Sequence, residues 1–175
     1  MVLYYETSHE YFHNFETTSL AYLNRYPNPY AKHVKSCDTL ECFVDNEGCL
    51  RTTKLVVKTG RLPQFIKPFL GSSLDSWIIE RSIIDPRSRT MKCYTANVDH
   101  RKFIKIEESL HYSAIKSNLS TVVNYEVKFS SNFLGFTKKI EEWSRNKFHN
   151  NLKNTREGLK FVMNKLKKNV ATPNL

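Results

Sequence analysis

Residues 122–152 read VVNYEVKFSSNFLGFTKKIEEWSRNKFHNNL, and within them the spacing of apolar side chains changes period. Up to Phe129 the period is two. Val123, Tyr125, Val127 and Phe129 fall on one face of an extended chain, and Val122, Asn124, Glu126 and Lys128 on the other. That alternation predicts a strand packed on one side, because successive strand side chains point to opposite faces. From about Leu134 the apolar residues Phe136, Ile140, Trp143, Phe148, Leu152, Leu159, Val162 and Leu166 step by threes and fours, with one longer gap. Those steps predict a single amphipathic helix of about nine turns. Gly158 lies inside it and marks either a kink or a close approach.

Working back toward the N-terminus, the pattern is mostly extended. A short apolar segment, Val2 to Tyr5, opens the chain. Asn14 then reads as the N-cap of a helix bearing Phe15, Leu20 and Leu23, which Pro27 stops. Leu40, Cys42 and Val44 share a strand face before the turn Asp45-Asn46-Glu47-Gly48. The chain returns through Leu50 to Lys58, with Leu55 and Val57 on one face and Lys54, Val56 and Lys58 on the other. Trp77 to Ile84 is apolar on both faces at its start and is expected to be covered on both. Pro86-Arg87-Ser88 turns into Met91 to Val98, and Ile104, Ile106, Leu110 and Tyr112 then alternate with Lys105, Glu107, Ser109 and His111. Consecutive strands at this spacing predict an antiparallel meander, and the whole an α+β fold. A curved sheet with the long helix across its concave side leaves a cavity between them.

One segment fits neither period. Residues 60–71, GRLPQFIKPFLG, carry Leu62, Phe65, Ile66, Phe69 and Leu70, yet Pro63 and Pro68 sit among them and a glycine closes each end. Proline interrupts both ladders and helix interiors, so this is no long core element. It is either an apolar loop packed on the core or a hinged lid that also meets a bilayer, with Lys67 and Arg61 favouring an anionic one.

With 175 residues the chain is expected to form one domain. Its formal charge of +10 points to an anionic partner: nucleic acid, a phospholipid surface or an acidic protein. The aromatics occupy alternating core positions instead of clustering beside Lys and Arg, which argues against a nucleic-acid stacking platform. No apolar run approaches the ~20 residues of a membrane-spanning helix, and the N-terminus MVLYYETSHEYF has neither signal-peptide nor transit-peptide character. Cys37, Cys42, Cys49 and Cys93 form no CxxC pair, so they read as buried free thiols and no metal site is expected. No nucleophile elbow or phosphate-binding glycine loop is present, and an enzyme is not expected.

The remaining polar residues define two groups. Lys147 and Asn151 lie one turn apart at the edge of the helical stripe, where Lys147 either presents a donor to the cavity or extends to solvent. Lys54 and Lys58 recur on one strand face, Arg61 follows, and Arg25 ends the first helix with His33 beyond it. Brought together, these would bind a phosphate by charge-assisted hydrogen bonds; separately, each is a solvated surface charge.

The ordered set Asn24-Arg-Tyr-Pro-Asn-Pro-Tyr30, His33-Val34, Leu50-Arg-Thr-Thr-Lys54, Trp77-Ile-Ile-Glu80, Trp143-Ser-Arg145 and Lys147-Phe148 resembles the PRELI/MSF1 family. The resemblance runs from Met1 to about Lys167 and is nearest to fungal members that carry phosphatidic acid. It implies a seven-stranded antiparallel sheet, a lipid cavity and a mobile lid, with bound phospholipid as cargo and no cofactor. It further implies a heterodimer with a small helical twin cysteine-x9-cysteine protein in the mitochondrial intermembrane space. Such a carrier works peripherally on the inner membrane and supplies cardiolipin synthesis. A sister branch handles phosphatidylserine, and a membrane-binding scaffold of the same fold would move no lipid. Carried over, the headgroup positions are Arg25, His33, Lys58, Arg61, Lys147 and Asn151, and the lid residues Leu62, Phe65, Ile66, Lys67, Phe69 and Leu70. Family members that bind phosphatidic acid often have Lys where this chain has Arg61 and Asn154.

Overall fold

A computed structural model of the chain describes residues 1–60, 74–132 and 135–171. Seven strands form one antiparallel sheet: β1 (Val2–Tyr11), β2 (Val34–Val44), β3 (Leu50–Gly60), β4 (Leu74–Asp85), β5 (Thr90–Asn97), β6 (Ile104–Ile115) and β7 (Ser120–Ser131). Their order is β1-β7-β6-β5-β4-β3-β2. From β2 to β7 this is the expected meander. β1, which extends well beyond Tyr5, closes the sheet by pairing with the last strand, Val2 opposite Ser130 and Tyr11 opposite Thr121.

Helix α1 (Phe15–Leu23) starts where Asn14 predicts, with the Thr17 amide donating to Asn14 Oδ1 at 2.9 Å. Leu20, however, is exposed; Phe15, Thr18, Ser19, Ala21 and Tyr22 form the buried side. The C-terminal helix α2 (Thr137–Ala171) runs for 35 residues. Its buried positions include Ile140, Ser144, Phe148, Leu159, Val162 and Met163, so the apolar stripe faces the sheet as its spacing requires. Gly158 is a close approach. A Cβ there would meet the Asn28 side-chain amide at 3.0 Å.

Two expectations for the outer strands fail for the same reason. Among the described residues neither helix packs on the convex face of the sheet or on its β2 edge. Leu40 and Val44 are therefore 55% and 66% exposed, and Cys42 is exposed with them. Trp77 is 47% exposed; only the concave face of β4, with Glu80, Ser82 and Ile84, is buried. The cysteines divide likewise: Cys49 and Cys93 are buried, Cys37 is half-buried, and all four are free. No helix among the described residues is long and apolar enough to cross a membrane.

The concave face packs in two places. One cluster joins α1, α2 and the strand ends near Tyr11, Met91, Tyr112 and Met163. The other sets Phe148 between Tyr5 and Tyr125, with centroids 5.1 and 5.6 Å away, and places Val127 and Phe129 beneath it. Between its buried ends at Phe148 and Leu159, α2 carries Asn151, Asn154, Thr155 and Arg156. The longer gap in the helical stripe is where the helix spans a hollow instead of a core.

A cationic cavity between sheet and helix

That hollow has a volume of about 680 Å³. Ile106, Leu110, Val123 and Phe129 form an apolar wall on β6 and β7, and Leu152 and Leu159 continue it on α2. Charged residues line it as well. Lys58 reaches in from β3 and Lys147 from α2, joined by His33 and Asn151. The alternation of β3 explains Lys58: Thr52, Lys54 and Val56 are buried on the same face, so an even-numbered residue one step on must also point inward.

Neither the Lys58 nor the Lys147 amine has a hydrogen bond or ion pair among the described residues. The Lys147 amine lies 4.8 Å from the centroid of Trp143, one turn away. Burial works against the charge on Lys58, but the Tyr26 phenol and the Glu108 carboxylate more than offset it and raise its pKa. For Lys147 burial prevails, reinforced by repulsion from Lys58, and the pKa falls below the ordinary lysine value. Burial, then Lys58 and Lys147, also depress His33, keeping its imidazole neutral at pH 7.

Arg25 lines the same cavity but is already engaged. Its guanidinium forms a bidentate pair with Glu80, donates to the Tyr22 carbonyl at 2.9 Å, and lies 4.0 and 4.5 Å from the rings of Tyr22 and Tyr26. Burial alone would raise the Glu80 carboxyl; Arg25 overcomes this and holds it below the usual glutamate range. Lys54 is engaged too, donating to the Leu23 carbonyl at 2.6 Å at the end of α1.

The structure therefore brings Arg25, His33, Lys58, Lys147 and Asn151 to one cavity, with Lys58 and Lys147 as the cations left unpaired. Arg61 and the proposed lid residues Leu62, Phe65, Ile66, Lys67, Phe69 and Leu70 lie outside the described residues. Sequence reasoning missed Glu80 and Glu108, both of which line the cavity, and Arg156, which enters it from α2. For Glu108 a signal existed. It takes an inward position in a row otherwise made of Ile104, Ile106, Leu110 and Tyr112.

Holding a half-buried ammonium group without an anion is unfavourable. A hollow lined both by apolar side chains and by two such groups suits an amphiphile with an anionic head. Residues 16–169 match the PRELI-like family. The mitochondrial protein UPS1 of Saccharomyces cerevisiae is 47% identical over 167 residues, covering 95% of each chain. The mitochondrial PRELI domain-containing protein 1 of Gallus gallus is 32% identical over 146 residues, covering 82% of this chain and 68% of its own. The fold is also that of the Zhui aromatase/cyclase from Streptomyces sp. R1128, with a TM-score of 0.58 at 10% identity, 97% of this chain and 96% of that one being covered. A match over nearly the whole chain, together with a sheet, helix and cavity in the expected places, makes this protein a member of the PRELI-like family.

Proposed function

We propose that the chain is a lipid carrier that moves phosphatidic acid between the outer and inner mitochondrial membranes and so supplies cardiolipin synthesis. The observation that carries this reading is the pair of unpartnered amines, Lys58 and Lys147, in a cavity that apolar residues also line. The mitochondrial names of its relatives support the location. Within mitochondria we place it in the intermembrane space, peripheral on the inner membrane. There it would be paired with a small helical twin cysteine-x9-cysteine protein.

The energetics give a carrier its purpose. Each acyl methylene exposed to water costs about 0.8 kcal/mol, so a two-chain phospholipid leaves a bilayer very slowly unaided. The cavity substitutes protein contacts for bilayer contacts along the chains. Lys58 and Lys147 then supply charge-assisted hydrogen bonds to the phosphate, with His33 and Asn151 as neutral partners beside them. Arg25 acts through Glu80 and through its contacts with the Tyr22 and Tyr26 rings to hold this wall in shape. No bond is made or broken.

The test is transfer of fluorescent phosphatidic acid from phosphatidylcholine donor vesicles to unlabelled acceptors. Transfer proportional to protein concentration is expected, with about tenfold loss for Lys58→Gln. Equal rates for phosphatidylcholine would contradict the headgroup assignment, and faster movement of phosphatidylserine would reassign it. Vesicle binding without transfer would make the chain a scaffold.

A further inference from the structure

Glu108 is a carboxylate in a row of core side chains. Its neighbours along the inward face of β6 are Ile106 and Leu110, and its partners across the sheet are Thr95 on β5 and Val127 on β7. Thr95 Oγ1 donates to Glu108 Oε2 at 3.1 Å, which fixes the group against the wall. It has no ion pair within 4.0 Å among the described residues. The Tyr125 hydroxyl on β7 hydrogen-bonds to the same carboxylate, yet a neutral acceptor would satisfy both hydroxyls without placing a negative charge in the cavity. A glutamine there would keep an acceptor for these hydroxyls and remove the charge.

Its electrostatic partners are the two free amines. The cavity is lined by four basic side chains, Arg25, Lys58, Lys147 and Arg156, against two carboxylates, Glu80 and Glu108. Glu80 is consumed by Arg25. Glu108 is the carboxylate left to face Lys58 and Lys147, and both lysines feel it. Arg156 donates to Thr7 Oγ1 at 3.3 Å, from the opposite wall.

We propose that Glu108 is a built-in competitor for the lipid headgroup, which shortens the time a bound phosphate stays on Lys58 and Lys147. This rests on the carrier reading and deepens it. Of the two carboxylates that line the cavity, Glu108 is the one not taken up by an ion pair. A phosphate entering between them gains the lysines but meets a fixed negative charge across a low-dielectric gap, so its binding is held to an intermediate strength. A carrier needs such a limit. Two cavity-lining amines with no internal rival would retain a doubly charged phosphate and stall unloading at the acceptor membrane.

The experiment loads the purified chain from phosphatidylcholine vesicles containing fluorescent phosphatidic acid and follows release into excess phosphatidylcholine vesicles. Glu108→Gln keeps the shape and the acceptor for Thr95 but removes the charge. It is expected to slow release about tenfold, with equal or greater loading. Glu108→Asp, which keeps the charge, should stay within about twofold of the wild type on the same scale. Glu108→Ala supplies a second neutral variant, and either one that retains the wild-type circular dichroism spectrum carries the test. Wild-type release rates in the neutral variants, or faster ones, overturn the proposal while leaving the carrier intact. Failure of the wild type to load any phosphatidic acid overturns the carrier reading and this inference with it.

Discussion

Arg25 and Glu80 meet inside the cavity wall as a bidentate pair, Nη1 donating to Oε1 at 3.1 Å and Nη2 to Oε2, with side-chain exposures of 9% and 2%. The geometry makes Arg25 a positioning residue, whose charge is satisfied before any ligand arrives. Removing one partner leaves the other buried and unpaired, which typically costs about 3–5 kcal/mol. Glu80→Gln and Arg25→Met should each lower stability by an amount of that order in urea denaturation. The Arg25→Met/Glu80→Met double variant should recover most of the loss. If Arg25→Met leaves stability unchanged and abolishes only lipid binding, the pair does not have the structural role assigned to it.

The same pair sets a pH dependence. The folded Glu80 carboxyl lies below its ordinary value of 4.5, because Arg25 outweighs the opposing effect of burial. Its stabilising contribution is thus complete above the unfolded pKa and is lost as pH falls through the folded one. Melting temperatures should decline in that acidic window, and the decline should be shallower in Arg25→Met/Glu80→Met. Parallel curves for the two proteins would assign acid sensitivity to other carboxylates.

Lys147 is expected to oppose stability while serving binding. Its amine is disfavoured by burial and by Lys58 and has no anionic partner among the described residues within ion-pair distance. Lys147→Met should raise the stability of the empty protein by about 1 kcal/mol and weaken phosphatidic acid binding about tenfold. Calorimetry and vesicle co-flotation give the two readouts. A destabilised variant with undiminished binding would mean that Lys147 packs as a structural side chain.

The contact between Gly158 and Asn28 offers a test away from the charges. Asn28 is held on both sides, donating to the Arg25 carbonyl at 2.6 Å and accepting from the Tyr30 amide at 2.9 Å, so its side chain is not free to withdraw. Ala is the better helix former by about 1 kcal/mol, but its methyl would sit 3.0 Å from that amide. Gly158→Ala should therefore destabilise the protein, and Asn28→Ala in the same chain should reverse the sign. A stabilised single variant would show that the segment from Asn24 to Tyr30 yields to the helix.

Much of this arrangement was legible in the sequence, and the failures share a cause. Alternation in β6 and β7, the Asn14 cap, the Asp45–Gly48 turn and the long helical period are local signals, and each appears where its residues place it. The longer gap in the helical stripe also had a readable meaning, because the helix crosses the cavity there. Alternation does not say what stands opposite a strand. Trp77 was therefore expected to be covered, although it lies on a convex face left open, and the shared face of Leu40 and Val44 stands exposed at the sheet edge. The return of β1 to pair with β7 is a long-range choice that no local pattern contains. Arg25 shows the same limit at the site: its sequence neighbours mark a conspicuous cation, while its partner Glu80 is 55 residues away.

The most direct measurement is native mass spectrometry of the chain after incubation with vesicles containing phosphatidic acid and an excess of phosphatidylcholine. The account predicts one phosphatidic acid per chain, and its loss in Lys58→Gln/Lys147→Gln. A chain that emerges empty, or that carries phosphatidylcholine in proportion to its abundance, would contradict it.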